Sequence, residues 1–312
     1  MQIITYRQEY EVAVVELWNR VLWSDPITVG KFRKQALFDE NFDPALCDIA
    51  LENDNLAGFI LATKRKFPYM ERGLEPNRGW INVFFVDDLL QRKGTGTQLL
   101  LGAEQKLVEL GAKQITLGAY SPNYFFPGLD CERYPAARDF FEKHGYRPGE
   151  TAYSMKKDLH GFRLSKETLA KKAEAEKKGY SFINFDYHYA LDLLEFAKNE
   201  FGGGWKRNVL ISMQNNLAED CILLALNSRG KIAGFCMRMI DGNPLRFGPI
   251  GTAESERNAG LGGILFDLQQ AEMAKRGLYQ LFFLSTDEPG RRFYERHGVT
   301  VFRTFTDYRK EL

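Results

Sequence analysis

Much of this chain is written twice. Gly94 and Gly260 stand 166 residues apart, and Gly96 with Gly262, Leu99 with Leu265, Gly111 with Gly277 and Gln114 with Gln280 keep that spacing. An offset that survives a turn, a helix, a helix stop and a strand marks a duplicated domain, because solenoid units repeat every 20 to 50 residues or so. Ala57-Gly58-Phe59 returns as Ala233-Gly234-Phe235 at an offset of 176, so the first copy has 10 more residues before its turn (176 − 166). Near the end of each copy, Phe140-Phe141-Glu142-Lys143-His144-Gly145 matches Phe293-Tyr294-Glu295-Arg296-His297-Gly298 at an offset of 153. The first copy therefore has 13 more residues here (166 − 153), and they fall in an aromatic stretch. A length of 312 residues suits two domains of about 150 residues. We place them at 1–160 and 161–312.

In each copy the repeated turn lies between an apolar run and a leucine-rich segment, the order strand, glycine turn, helix. The first is Gln91-Arg92-Lys93-Gly94-Thr95-Gly96-Thr97 and the second Arg257-Asn258-Ala259-Gly260-Leu261-Gly262. Glycines spaced by one residue let the backbone approach a ligand with no Cβ in the way. The helix that follows turns its free N–H groups and positive dipole end toward the turn. Such a turn suits a phosphate or pyrophosphate, and Arg92 and Lys93 add charge of the right sign. A Walker A loop is excluded because neither copy has G-x-x-x-x-G-K-[ST]. A dinucleotide fingerprint lacks its third glycine, since Gln98 and Leu99 follow Gly96-Thr97.

Composition narrows the partners. The net charge of +1 gives no reason to expect nucleic acid or an acidic membrane surface. The lysines of residues 171–178 alternate with Glu174 and Glu176 and read as a solvated helix face. Four cysteines without a C-x-x-C pair, and four histidines that do not cluster with them, predict neither a metal site nor a disulfide framework. Residues 1–10 carry charged and polar groups throughout, unlike a signal peptide. No apolar run approaches the roughly 20 residues of a membrane span. The expectation is a soluble, cytoplasmic protein.

Apolar spacing predicts helices over residues 11–21 and 29–38, a hairpin from strands 48–52 and 56–63, and a loop over 64–79. Residues 80–86 form the strand entering the first turn. Leu99, Leu100, Ala103, Leu107 and Leu110 make one face of the helix after it, Gly111 stops that helix, and 114–117 is the next strand. Residues 119–130 are aromatic and broken by prolines and a glycine. They would form either a substrate wall or a cover packed back on the core. Residues 135–143 form a short helix, and 154–159 a strand closing the first domain. Residues 165–178 are helical, with Ser165 as cap, either a spacer or the first helix of the second copy. That copy continues with strand 180–185, helix 188–201 ended by three glycines, hairpin 221–226 and 231–239, strand 246–252, a helix carrying Ile264, Leu265, Leu268 and Ala271, and strand 281–284.

On the turn Q/R-x-x-G-x-G and the closing element F-[YF]-E-x-x-G, each present twice, the chain resembles the GNAT (GCN5-related N-acetyltransferase) superfamily, in its tandem two-domain form. The resemblance covers nearly the whole chain. It implies an α/β (α+β) fold in which each domain is a twisted mixed sheet flanked by helices. Two central parallel strands splay apart after the turn. Acetyl-CoA, as cosubstrate, would lie in that opening with its pantetheine arm along the strand edge. That edge would be residues 84–86, offering Phe84 and Val86, and 250–252, offering Thr252. The pyrophosphate would rest on Gln91, Arg92, Lys93, Gly94, Thr95 and Gly96, with Thr97 adding a hydroxyl, and on Arg257, Asn258, Ala259, Gly260, Leu261 and Gly262 in the second copy.

The implied reaction is transfer of an acetyl group to a primary amine by direct attack. The amine loses a proton, the oxyanion needs a donor, and the leaving thiolate takes a proton from a general acid. The family often uses a tyrosine of the closing element as that acid. Tyr294 holds that position in the second copy; Phe141 holds it in the first. Tyr120, Tyr124 or Tyr134 could serve the first copy instead. Asp87, Asp88, Glu254 and Glu256 flank the turns as candidate bases, or as helix-terminus carboxylates. The expected acceptor is a small-molecule amine, with no nucleic acid and no membrane as partner, and the assembly a monomer or a homodimer. The alternative is a catalytically degenerate acyl-CoA-binding scaffold; a third reading transfers an acyl group other than acetyl.

Overall fold

The structure is a computed structural model that describes residues 1–123 and 125–312. Tyr124 lies outside the described residues. By internal contacts the chain divides into two compact units, Met1–Ala152 with Thr304–Leu312, and Tyr153–Arg303.

The first unit begins with β1 (Gln2–Thr5), the helix Glu11–Val21, and the hairpin β2 (Cys47–Glu52) and β3 (Asn55–Thr63). Strand β4 (Arg78–Val86) follows, antiparallel to β3. After the turn come the helix Thr95–Glu109 and β5 (Gln114–Leu117), parallel to β4. The order β1-β2-β3-β4-β5 is thus a mixed sheet with one parallel step. Leu99, Leu100, Ala103 and Leu107 pack on one face of it. Leu110 is exposed, contrary to the sequence reading, because it is the C-cap and the helix has already ended. Trp18, Phe32, Phe59 and Phe85 fill the other face. The segment expected as a helix over 29–38 is a single α-turn, Val29–Phe32, continued as a π-helix, Arg33–Leu37.

The aromatic insertion is a cover rather than an exposed wall. Tyr120 is buried against Trp80, and Phe125 and Phe126 pack on the Trp18 indole at 5.0 and 6.1 Å between ring centroids. Beyond the helix Pro135–Lys143, the strand β6 (Arg147–Asp158) carries the chain into the second unit.

The second unit opens on the helix Lys166–Lys177, capped by Ser165, whose Oγ accepts the Thr168 N–H at 2.9 Å. The Thr168 hydroxyl donates to Asp267 at 2.6 Å, so this helix is a packed element of the unit and not a spacer. Strands β7 (Ser181–Asn184), β8 (Ile222–Leu226), β9 (Ile232–Arg238) and β10 (Phe247–Thr252) form an antiparallel sheet in the order β10-β9-β8-β7. The three glycines at 202–204 end one helix, Ala190–Phe201, and begin another, Gly203–Gln214, which the apolar pattern did not reveal. After the second turn come the helix Leu261–Lys275, β11 (Gln280–Phe283), the helix Glu288–Arg296 and β12 (Thr300–Glu311).

The closing strands are exchanged. Residues 155–158, expected to close the first copy, pair antiparallel with β11 of the second unit. Residues 308–311, at the end of the chain, pair antiparallel with β5 of the first. Among the described residues no helix is long and apolar enough to cross a membrane, and no His, Cys, Asp and Glu group could hold a metal ion. All four cysteines are free.

Candidate functional site

The two turns have the same backbone. In the first, Arg92 and Gly94 take positive φ, 59° and 89°; in the second, Asn258 and Gly260 do, at 72° and 77°. Asparagine and glycine tolerate that region, whereas arginine is strained there. Alternation of right- and left-handed residues folds successive N–H groups toward one point, a nest for an anion. Among the described residues no side chain caps either helix. Among the described residues the N–H groups of residues 92–97 have no partner, nor do those of Asn258, Gly260, Leu261 and Gly262; Ala259 reaches Glu256 only at 3.4 Å. A row of orphaned donors at a helix N-terminus fits a pyrophosphate, the group that the resemblance implies.

The turn residues do different work. Gly94 and Gly260 face open space, with nothing within 4 Å of a built Cβ. Gly96 is a packing glycine, since a Cβ there would lie 3.2 Å from Phe84 Cζ and 3.5 Å from the Phe140 ring. Gln91 ties the first turn together, donating to the Val86 carbonyl at 3.3 Å and to Asp88 at 2.7 Å. Arg257 is held near Glu254 at 3.4 Å. Arg92 and Lys93 are exposed. The Thr95 hydroxyl points at Met1 Sδ, 2.9 Å away, and Thr97 Oγ1 lies 3.3 Å from His144 Nε2. Leu261 is buried and can offer only its backbone.

Behind each turn two parallel strands part. Strands β4 and β5 pair from Arg78–Gln114 to Ile81–Leu117 and no further. The register against β3 shifts at Asn82, between Leu61–Val83 and Ala62–Ile81, a bulge at the point of parting. The Asp87 N–H bonds Ala57 O at 2.9 Å, so Asp87 faces β3. By alternation Val86 and Phe84 turn their N–H and C=O groups to the open edge. In the second unit Ala253 bonds Ala233 at 2.9 Å, which leaves Thr252 and Ile250 outward by the same logic. There the parallel contact is a single bridge, Arg246 to Phe282, and β10 shifts register between Phe247 and Ile250.

The closing helices differ at one atom that matters. Tyr294 packs against Phe247 of β10 and Phe283 of β11, with ring centroids 6.2 and 4.4 Å away, at the place where those strands part. Among the described residues its hydroxyl has no hydrogen-bond partner. Burial raises its pKa above the ordinary tyrosine value, with the neighbouring Cys236 and Asp287 adding to the shift, so it stays protonated. Phe141 takes the matching place in the first unit, buried among Phe84, Phe140 and Tyr146. Of the other candidate tyrosines in that unit, Tyr120 and Tyr134 are committed, and Tyr124 lies outside the described residues. Tyr120 donates to Asp39 and accepts from Asn41, both at 2.9 Å, and burial followed by the Asp39 charge raises its pKa. Tyr134 donates to Asp25 at 2.9 Å.

The four flanking carboxylates are also engaged. Asp87 binds Arg20 at 2.5 Å and caps Leu89, and Asp88 accepts from Gln91. Glu254 is near Arg257, and Glu256 accepts from Tyr180 at 2.5 Å. They hold the turns in shape, and none is poised as a free base. Two features escaped the sequence reading. One is the guanidinium of Arg65, packed against the Tyr69, Trp80 and Tyr120 rings and paired with Glu75 at 2.9 Å. The other is Arg246, discussed below. Isolated arginines in or beside strands have no spacing signal.

Residues 14–126 match the family model "Acetyltransferase (GNAT) family". No curated protein sequence matches the chain. Among solved structures, the chain is similar to a GCN5-related glucosamine N-acetyltransferase region of a fungal multi-domain GH3 β-N-acetylglucosaminidase, with a TM-score of 0.80 at 19% identity. That match takes in 99% of this chain but only 38% of the fungal one. It is also similar to a GCN5-related N-acetyltransferase from Sphaerobacter thermophilus, with a TM-score of 0.71 at 16% identity over 99% of this chain and 95% of that one. A tandem GNAT protein from the clavulanic acid biosynthesis pathway gives 0.65 at 15% identity, over 99% and 98%. Structural likeness at such identities carries the fold, and the family match carries the kind of domain. The chain has the fold of the GNAT acetyltransferases over nearly its whole length, and its residues 14–126 match the GNAT family model.

Proposed function

We propose that this chain is an acetyl-CoA-dependent N-acetyltransferase that moves an acetyl group to a primary amine of a small molecule. The observation that carries the reading is a turn of unpartnered N–H groups leading from a strand with an open edge, present twice. Residues 91–97 and 257–262 would hold the pyrophosphate, and the outward groups of Phe84, Val86 and Thr252 the pantetheine amides. Bound acetyl-CoA supplies the activated thioester. The two GNAT domains of this reading are 1–160 and 161–312.

The second unit is the better candidate for transfer. Tyr294 offers an uncommitted, protonated hydroxyl beside the parted strands, and its role is to give the leaving sulfur a proton. The first unit has Phe141 there, and this favours a second role for that unit, holding an acyl-CoA without turning it over. The net charge of +1 supports a small amine over a nucleic acid; a cytoplasmic setting is part of the same reading.

Calorimetric titration of acetyl-CoA into wild type, Gly94→Trp and Gly260→Trp tests this. Both positions open on empty space, so a bulky side chain meets no neighbour, and the strain of a side chain at φ 89° and 77° falls on the turn it is meant to block. Loss of binding in Gly260→Trp alone supports the second unit as the enzyme. Loss in Gly94→Trp alone removes Tyr294 as the acid. No binding to folded wild type ends the acetyltransferase reading.

A further inference from the structure

Arg246 is an unfinished charge. It is 7% exposed, and its Nε and Nη1 are buried with no hydrogen-bond partner. Among the described residues no carboxylate pairs with it; its one close neighbour of note is the Phe282 ring, 5.8 Å from the guanidinium carbon. A buried charge is tolerated when paired and hydrogen-bonded, and is costly otherwise. The same chain shows a paired buried arginine elsewhere, with only its Nη1 left without a partner. Arg65, as deeply buried, has Glu75 at 2.9 Å and the Ser121 carbonyl at 2.8 Å.

Its place in the fold gives the missing partner a role. Arg246 forms the single parallel bridge to Phe282, so it stands at the last point of contact before β10 and β11 part. Its neighbour Phe247 faces the helix Leu261–Lys275 and Tyr294. Alternation along a strand therefore turns Arg246 to the opposite face of the sheet. The turn helix and Tyr294 occupy the face from which the thioester would enter. An amine that attacks it must come through the parting from the other side, where Arg246 is.

We propose that Arg246 recognises a carboxylate carried by the acceptor, so that the acceptor is a small amino acid or a molecule with an amino-acid end. Planar guanidinium matches carboxylate geometry better than any other side chain. This inference rests on the acetyl-transfer reading of the second unit.

The test compares β-alanine and 4-aminobutyrate with their carboxamides, which keep the amine and lose the charge, with inorganic phosphate as a further probe. Melting of the full chain is read first, without acetyl-CoA. The acids should raise the melting temperature saturably, and the amides should not. Arg246→Gln should abolish the acid effect. Arg246→Met, which removes an unpaired buried charge, should melt higher than unliganded wild type by about 2–4 °C and ignore the acids. Turnover is read second, as thiol release from acetyl-CoA. In wild type kcat/KM should favour acid over amide by about 10- to 100-fold, and in Arg246→Gln the two should be equal. Equal stabilisation by acid and amide, or acid binding that survives Arg246→Gln, overturns the proposal. So does a response to phosphate alone, or to none of the probes, the last meaning that water satisfies the guanidinium. Arginine-dependent acid binding with no thiol release from any probe would sink the acetyl-transfer reading and leave the carboxylate site standing.

Discussion

The Tyr294 ring lies 4.4 Å from that of Phe283, on the last residue of the strand that parts from β10. Among the described residues its hydroxyl has no hydrogen-bond partner, so its removal breaks no bond described there. Tyr294→Phe should therefore melt within about 1 °C of wild type while turnover falls about 100-fold. Steady-state kinetics with melting on the same preparation checks this. Because burial raises the Tyr294 pKa above 10.0, kcat should not fall between about pH 8 and 10 through loss of this proton.

The converse change, Phe141→Tyr, should not create a second active unit. It would put a hydroxyl on a ring packed among Phe84, Phe140 and Tyr146. The expected cost is about 1–3 kcal/mol of stability, with no gain in turnover. Chemical denaturation and the same kinetic assay measure both.

Gly251 has no room for a side chain. A Cβ there would come within 2.3 Å of Phe201 Cζ, on a ring stacked against Trp205 at 4.3 Å. Gly251→Ala should cost about 1–3 kcal/mol by overpacking. The double variant Gly251→Ala, Phe201→Leu should recover part of that loss.

The Glu288 carboxyl should titrate at about 2, not at 4.5, because hydrogen bonds from Arg291 and then Tyr153 favour its charged form. A depressed pKa gives stability that is present in full above the unfolded value and is lost as pH falls through the folded one. Protection factors for hydrogen exchange in the helix Glu288–Arg296, taken relative to the intrinsic rate at each pH, should thus fall between pH 4.5 and about 2. A carboxyl that titrates at 4.5 by NMR would refute this.

Ending the chain at Arg303 should damage the first unit. Lys310 binds Glu104 at 2.6 Å and Tyr308 donates to Glu142 at 2.7 Å, and both would be lost with the strand beside β5. Leaving the buried Glu104 carboxylate without its ammonium partner alone costs about 3–5 kcal/mol. Limited proteolysis should then cut first within residues 1–152.

The elements around the turns were legible because their signals are local. Glycines at a fixed offset gave the turns, alternation gave the hairpins, and proline and glycine bracketed the helix Pro135–Lys143. The aromatic insertion was ambiguous because only packing shows that Phe125 and Phe126 face Trp18. The helix Gly203–Gln214 was missed because glycines at 203 and 204 are poor helix formers that tertiary packing overrides. The exchange of closing strands was invisible because residues 155–158 and 308–311 have similar patterns, and nothing local selects which strand either will join. The free hydroxyl of Tyr294 and the unpaired guanidinium of Arg246 are facts about what is missing around a side chain, which no sequence pattern records.

The exchanged strand also sets an order of events during synthesis. Residues 304–312 belong with a unit whose other 152 residues leave the ribosome before the whole of residues 153–303. The first unit must wait, with the edge of β5 uncovered, through the translation of about 150 residues, some 8 to 30 seconds at about 5–20 residues per second. The second unit has all of its residues by Arg303 and can be finished first. In this chain the copy encoded first is the copy completed last.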